Sequence, residues 1–451
     1  MNFKDEFYQK LKLLVLPIAI QNFMLALVSA TDAIMLGWID QTSLSAVSLA
    51  GQVQFVLSLF ISGIAAGAGI MAAQYWGKQD AASIEKVIPI ALRTNLLFSG
   101  LFTILAGFCP EMLMRIFTND AALVASGSQY LRAVALSYVL CGISQVYLIL
   151  LKNTGHAAVS SRISSTAVVL NIILNAILIY GLCGAPALGI RGAAYATVAA
   201  RVVELIWAYL ETKKPERVRI LWNRLFSSAG KILSEDFWRY TLPVLAASLV
   251  WGIAYVLYSV IMGHMGSDAV AANSITSIAK SLLSCLIRGV SGGAGVLIGN
   301  LLGANELEKA REYGRRLSHL SIAIGIVTGG LLMLISPAIV HFAPLSDTAA
   351  EYLQYMLLFC GLNLMAQSVN TTVLDGIFCA GGDAKFDMQG NIGAMWCFSV
   401  PLGFLAAFWL KLPVMVVYCI VNLDEIVKLP AVYHHYKKYI WVRNITRDVE
   451  D

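Results

Sequence analysis

The chain has 451 residues, of which 58% are hydrophobic and only 13% are charged, and its mean hydropathy is +0.72. An ordinary soluble domain carries about 25% charged residues, so a soluble protein of this size would lack the charges to cover its surface. This composition excludes nucleic-acid-binding proteins, secreted disulfide scaffolds and cytosolic enzymes. The formal net charge of +5 is modest, so the distribution of Lys and Arg matters more than their number. We interpret the chain as a polytopic membrane protein.

Apolar segments of spanning length, about 20 residues each, recur along the whole chain. In the first half they lie near 13–38, 46–73, 87–109, 127–151, 163–181 and 191–212. After a polar connection, the second half has them near 238–263, 270–300, 317–337, 352–378, 389–410 and 413–433. The sequence therefore predicts an all-α integral membrane protein with twelve transmembrane helices.

Lys and Arg are distributed unevenly between the loops. Twelve spans place both termini on one side, and the 213–237 connection on that side has six basic residues: Lys213, Lys214, Arg217, Arg219, Arg224 and Lys231. The loops of the other side offer little beyond Arg115, Arg132, Arg191 and Lys411. Because basic loops stay in the cytoplasm, both termini are predicted to be cytoplasmic, in a multi-pass protein of the plasma (inner) membrane.

The two halves of the sequence repeat each other at an offset of 226 residues. Leu16-Pro17 aligns with Leu242-Pro243, and Gly67-Ala68-Gly69 aligns with Gly293-Ala294-Gly295. A parallel repeat of two six-helix bundles implies a pseudo-twofold axis along the membrane normal, with the substrate path between the halves. The predicted lobes are residues 1–223 and 224–451, joined by the 213–237 connection.

Glycines cluster inside two of the predicted helices, at equivalent positions of the repeat. No phosphate-binding Lys-Ser pair follows them, and glycines at this spacing permit close packing between helices. Close packing is therefore the role we expect for Gly63, Gly67, Gly69, Gly289, Gly293 and Gly295. The eight cysteines form no CxxC pair, and no disulfide or cofactor is expected.

These residues also carry a family resemblance. The segments LPIAIQNFMLALVSATDAIMLG (16–37), GAGIMAAQYWGKQD (67–80) and GAGVLIGNLLGANE (293–306) resemble the multidrug and toxic compound extrusion (MATE) transporters, as do LNIILNAILIYG (170–181) and LGIRGAAYATVAAR (188–201). The resemblance implies two six-helix bundles around a V-shaped cleft that alternates its access. It also implies export of organic, often cationic, compounds driven by inward flow of Na⁺ or H⁺.

The resemblance further implies a cation-coupling site. In prokaryotic members with a first-helix acid, that acid and polar groups of the fifth and sixth helices form the site. Asp32 matches the acid, Asn171 matches the first polar position of the fifth helix, and Asn175 stands where some members carry Asp. Thr197 matches the threonine of the sixth-helix motif. If the coupling ion is Na⁺, these four residues are also its expected metal ligands.

The depth of these residues in the membrane provides an independent argument. Asp32 and Asn175 each lie six residues before the outer end of their helix, and Thr197 lies six residues after Arg191, where its helix begins. At about 1.5 Å per residue, all three lie roughly 9 Å below the outer ends. Converging oxygen ligands suit Na⁺, and a single carboxyl suits H⁺ equally well. Ordinary interhelical hydrogen bonding remains the alternative for the neutral residues, whereas an intramembrane acid is usually functional.

Three charged residues of the second half are candidates for the substrate cleft. Lys280 and Arg288 lie inside the eighth span, where they either contact substrate or, for Lys280, extend toward the outer interface. Asp375 lies late in the tenth span and is interpreted as a solvated carboxylate near the cytoplasmic surface. Trp251 occupies the place of a seventh-helix acid that another branch of the family uses, so that branch's site is not expected here.

Arg201 and Glu204 lie three residues apart in the sixth span. At this spacing on a helix the two side chains are neighbours, so we expect them to form an ion pair. We interpret that pair as structural and outside the transport path.

Cation-coupled export of small amphipathic compounds is the favoured function, by a protein that is not an enzyme. A flippase for lipid-linked oligosaccharides or lipids with the same architecture is the alternative. An intramembrane enzyme would need a catalytic pair at one depth, and the sequence has no suitable His-Glu, Ser-Lys or Asp pair. The expected partners are small organic substrates and the lipid bilayer, and the chain is expected to be monomeric.

The topology is tested by placing a cysteine at Ser228, in the basic connection. We expect Ser228→Cys to resist membrane-impermeant thiol reagents in intact cells and to react once the cells are opened, because the positive-inside rule keeps this loop in the cytoplasm. The unsubstituted chain measures the background from native cysteines. Ready labelling of Ser228→Cys in intact cells would reverse the orientation.

Overall fold

The computed structural model describes residues 3–39, 41–220, 222, 225, 230–343 and 345–447, and these ranges contain helices, turns and loops but no β-strand. Arg224 and Ser228 of the basic connection lie outside the described residues. The helices of the first half are α1 (Phe3–Gly37), α2 (Gln41–Gly77), α3 (Ala81–Phe108), α4 (Ala121–Leu151), α5 (Ala157–Tyr180) and α6 (Ile190–Thr212). A short helix, Pro110–Arg115, precedes α4.

The helices of the second half are less regular toward the C-terminus. They are α7 (Lys231–Gly263), α8 (Ser267–Gly303), α9 (Leu307–Phe342), α10 (Asp347–Thr371), α11 (starting with Ala384–Asn391) and α12 (Val414–Val421 and Asp424–Tyr436). Thr372–Phe378 extends α10 as a π-helical segment, and Ile392–Ser399 does the same for α11. Beyond it, α11 continues as Val400–Phe404 and the π-helical Leu405–Trp409.

The described helices confirm the predicted membrane protein, and each predicted span overlaps one of them. Among the described residues, ten continuous helical segments are long and apolar enough to cross a membrane. One of them, Ala121–Tyr180, contains both α4 and α5, which meet at a kink where Gly155 has a φ of +82°. The twelfth span is α12, which is broken near Asn422 and carries several charged residues.

The repeat is visible in how equivalent helices end. The turn between α2 and α3 places Gln79 at a φ of +64°, and the turn between α8 and α9 places Asn305 at +62°. After each turn, the backbone N–H of the next residue bonds the preceding helix: Asp80 donates to the Tyr75 carbonyl and Glu306 to the Leu301 carbonyl, both at 2.9 Å. The two halves therefore use the same local geometry 226 residues apart.

The helices form two compact units whose boundaries differ from the predicted lobes. The N-unit contains residues 23–245, and the C-unit contains residues 3–22 and 246–447. Instead of dividing near residue 223, the chain changes unit inside α1 and inside α7. Each of these helices has a proline shortly before the change, Pro17 and Pro243, where a backbone hydrogen bond is missing.

Close contacts at glycine explain why the first half of α1 belongs to the C-unit and the first half of α7 to the N-unit. We call these two segments the exchanged halves. In the N-unit, a Cβ added to Gly67 would lie 2.7 Å from the Cα of Thr241 in α7. In the C-unit, a Cβ added to Gly289 would lie 2.9 Å from the Cα of Ala19 in α1. The first half of α7 thus packs on α2, and the first half of α1 packs on α8. This confirms that the glycine clusters serve packing.

A single methyl group at this contact should be costly. We expect Gly67→Ala to lower the free energy of unfolding by about 1–3 kcal/mol, because the added Cβ overlaps the Thr241 backbone and the helices must separate. Gly100→Ala, in α3, meets no atom within 4 Å and should leave stability unchanged or raise it by up to about 1 kcal/mol. Thermal unfolding of the purified protein in detergent measures both. Equal stabilities for the two variants would contradict the close packing.

Candidate functional site

The four predicted site residues form one hydrogen-bonded chain inside the N-unit. The side-chain amide of Asn175 (α5) donates to Oδ1 of Asp32 (α1) at 2.5 Å and to Oδ1 of Asn171 at 3.3 Å. Asn171 in turn donates to the Thr197 hydroxyl (α6), also at 3.3 Å. Helical spacing explains the arrangement, because Asn171 and Asn175 are one turn apart on the same face of α5. Their role in ion coupling remains a prediction.

Burial makes this chain of contacts chemically significant. Asn175 is fully buried and Asn171 is 5% exposed, while Asp32 is partly exposed. Within the described residues, Oδ1 of Asn175 has no hydrogen-bond partner. A buried amide oxygen without a partner costs about 1–3 kcal/mol, and a cation bound beside Asp32 would satisfy it.

A cavity of about 350 Å³ adjoins this hydrogen-bonded chain of side chains, and Asp32, Asn171 and Thr197 are among its lining residues. This volume is at the lower end of the range for small-molecule sites. Sequence reasoning missed Gln54 of α2 and Tyr130 of α4, which also line the cavity. The available signal for Gln54 was an amide, shared only with Gln52, in a mostly apolar span, and Tyr130 had no such signal.

The predicted Arg201–Glu204 ion pair is present, and both residues line the same cavity as Asp32. Our interpretation that the pair is structural and outside the transport path stays a prediction. Nη1 of Arg201 donates to both Glu204 oxygens, at 2.8 and 3.0 Å. The Ser144 hydroxyl of α4 donates to Glu204 at 2.6 Å. Glu204, which is 1% exposed, therefore has a full set of partners. Of the two acids that line the cavity, Glu204 is paired with a cation, whereas Asp32 is bonded by a neutral amide.

Comparisons with known proteins agree with this architecture. A family model, MatE, matches residues 17–177 and 243–405, which together make up more than half of the chain. This chain belongs to the MatE family. The two matched segments begin 226 residues apart, which is the offset of the internal repeat. Each half of this MatE protein thus contains one match to the family model.

Relatives match the MatE chain over most of its length. It is 21% identical over 427 residues to the uncharacterized transporter YisQ of Bacillus subtilis, covering 95% of this chain and 93% of YisQ. It is 24% identical over 390 residues to the probable multidrug resistance protein NorM of Agrobacterium fabrum, covering 84% and 83%. An outward-facing structure of a multidrug resistance MATE family transporter is similar in fold, with a TM-score of 0.86 at 20% identity over 96% of this chain and 95% of that one.

The predicted cleft residues lie in the C-unit and are not part of the Asp32 cavity. Lys280 is half-buried, and its ammonium donates to Oδ1 of Asn363 (α10) at 2.8 Å. Arg288 and Asp375 are exposed, and Asp375 lies in the π-helical extension of α10, three residues before its end. Trp251 stacks on Tyr255, with ring centroids 5.5 Å apart. Contact of these residues with substrate remains a prediction.

The Arg201–Glu204 pair gives a stability prediction. Arg201→Leu leaves the Glu204 carboxylate buried without a cation, so we expect the free energy of unfolding to fall by about 3–5 kcal/mol. Arg201→Leu combined with Glu204→Leu removes both charges and should recover most of this loss. Thermal unfolding of the purified variants in detergent measures the difference. A double variant as unstable as Arg201→Leu would mean that packing, and not charge, is the cause.

Proposed function

We propose that this protein is an antiporter that exports small amphipathic organic compounds by alternating access, driven by inward flow of Na⁺ or H⁺. The observation that carries the proposal is the Asp32 carboxylate, which lies beside a ligand-sized cavity and has an amide as its bonded partner. No Lys or Arg in the described part of the chain forms an ion pair with it. An intramembrane charge without a counterion is expensive, so the site favours an exchangeable cation.

Binding of a cation at Asp32 would be coupled to the conformation of the N-unit. A proton or Na⁺ on Asp32 competes with the charge-assisted hydrogen bond from Asn175, and the packing of α1 against α5 then has two alternatives. A ligand changes a conformational equilibrium only if it binds the two states differently. The Asp32–Asn175 bond, made in one state and weakened in the other, provides that difference.

The class of substrate follows from the cavity and from the relatives. NorM relatives bear the name of probable multidrug resistance proteins, which supports export of drug-like compounds. A flippase for sugar pyrophosphates would need unpaired basic groups in its cavity, and Arg201 is already neutralised by Glu204. We therefore favour small organic substrates, carried by a monomer in the plasma membrane with cytoplasmic termini.

Asp32→Asn tests the proposal, because it keeps the shape and hydrogen bonding of the side chain but removes its charge. In sealed vesicles with an imposed Na⁺ or pH gradient, we expect this variant to lose gradient-driven transport of ethidium. If Na⁺ is the ion, Asn171→Ala and Thr197→Ala should each raise the Na⁺ concentration for half-maximal transport by about tenfold or more.

The matched control is Asp347→Asn, at an exposed position in the first turn of α10. It should transport like the unsubstituted protein, with protein amounts matched. Asp32→Asn vesicles that still move ethidium against its concentration gradient would place ion coupling elsewhere in the chain.

A further inference from the structure

A second chain of buried polar side chains lies in the C-unit, between α10, α11 and α12. The Lys428 ammonium (α12) contacts Oε1 of Glu425 at 3.0 Å and Oδ1 of Asn391 (α11) at 3.2 Å. The Asn391 amide donates to Oδ1 of Asp387 at 3.1 Å. At the other end, the Asn370 amide (α10) donates to Oε2 of Glu425 at 2.7 Å. We refer to these five residues as the α10–α12 chain.

All five members are buried, and their charges do not balance. Their exposed fractions range from 1% for Asn370 to 9% for Glu425. Asp424, 6% exposed, adds a third carboxyl, whose Oδ2 lies 3.8 Å from the Lys428 ammonium. Three buried carboxyls thus share one buried cation. Unbalanced charge in an apolar helical bundle is strongly unfavourable.

The surrounding charged and titratable groups reduce the imbalance without removing it. They come from every helix that packs against the chain: Tyr258 of α7, Lys280 and Arg288 of α8, Asp375 and Cys379 of α10, and Asp383 before α11, which pairs with His435 of α12. With Asp375, Lys280 and Arg288 included, four carboxylates face three cations. One negative charge is left over, and one proton would neutralise it.

Asn370 supplies independent support for a ligand-binding role of this chain of side chains. Its Oδ1 is buried and has no hydrogen-bond partner in the described part of the chain, while its NH₂ group is held by Glu425. A carboxylate cannot donate to this oxygen, but a protonated Glu425 can, after rotation of the amide. π-helical segments also follow Asn370 and Asn391 closely, at Thr372–Phe378 and Ile392–Ser399. Such segments are frequent at functional sites.

A proton fits this chain better than a metal ion does. The described residues contain no cluster of three or more His, Cys, Asp or Glu side chains arranged to hold a metal. A proton needs a single carboxyl, and Lys428 contacts Glu425 directly and is linked to Asp387 through Asn391. When either Asp387 or Glu425 is neutral, the ammonium can turn toward the one that stays ionised.

We infer that the α10–α12 chain binds one exchangeable proton, held by Asp387 or Glu425, and forms a second proton site separate from Asp32. The proton comes from water, forms an O–H bond to a carboxylate oxygen, and lowers the negative charge of the C-unit by one. The inference rests on residues of the C-unit alone and does not require Asp32 to be the coupling residue.

Infrared difference spectroscopy of the full chain in lipid, between alkaline and acidic pH, detects the proton directly as a protonated-carboxyl band. All variants carry Asp32→Asn, which removes the contribution of the first site. We expect a buried carboxyl band in this background. Adding Asp387→Asn or Glu425→Gln should abolish it, because each removes the surplus negative charge. Adding Lys428→Met should instead enlarge the band, because a second carboxyl must then be neutralised.

Asp347→Asn, added to the same background, should leave the band unchanged and controls for surface carboxyls. Because the three charge variants predict changes in opposite directions, misfolding of one leaves the others decisive. A band that persists in both Asp387→Asn and Glu425→Gln would overturn the inference. Suppression of the band when Na⁺ replaces choline in the buffer would also overturn it, in favour of a Na⁺ site.

Discussion

The structure depends on close approach of helix backbones at glycine. Helices in lipid gain little from hydrophobic burial against each other, so van der Waals contact must hold them, and small residues make that contact possible. Gly67 against Thr241 and Gly289 against Ala19 are the two contacts that tie the exchanged halves of α7 and α1 to their units. Each contact has its counterpart across the repeat, Gly293 against Val15 for the first and Gly63 against Leu245 for the second. The same solution therefore appears in both units.

Once the helices pack this tightly, a buried carboxyl needs polar or cationic partners nearby. The carboxyls described above obtain such partners to three different degrees. Glu204 accepts from Nη1 of Arg201 at both oxygens and from a serine hydroxyl, which leaves it fully satisfied. Asp32 accepts a hydrogen bond from the Asn175 amide, which orients a carboxylate without neutralising it. Asp424 and Glu425 of α12 share the single cation Lys428, which is a partial solution.

These differences separate structural from functional charges. A fully paired carboxylate gains little from binding a further cation, because its charge is already neutralised by a permanent partner. Asp32 and the α10–α12 chain both retain a deficit of positive charge and also a buried amide oxygen without a partner, on Asn175 and Asn370 respectively. If both proposals hold, these two sites, one in each unit, give each unit its own response to cations.

The sequence by itself determined the membrane class, the twelve spans and the repeat, because composition and periodicity are enough for these. The candidate residues around Asp32 came from the resemblance to MATE transporters, and the common depth of Asp32, Asn175 and Thr197 agrees with that choice. Only the tertiary structure decided that α1 and α7 exchange halves, because an apolar helix face does not specify which neighbour it packs against. The same holds for the α10–α12 chain: Asp424, Glu425 and Lys428 are visible inside the predicted twelfth span, but their partners on α10 and α11 come from distant parts of the chain. Such contacts depend on which faces three helices turn toward each other, and a local sequence pattern does not determine those faces.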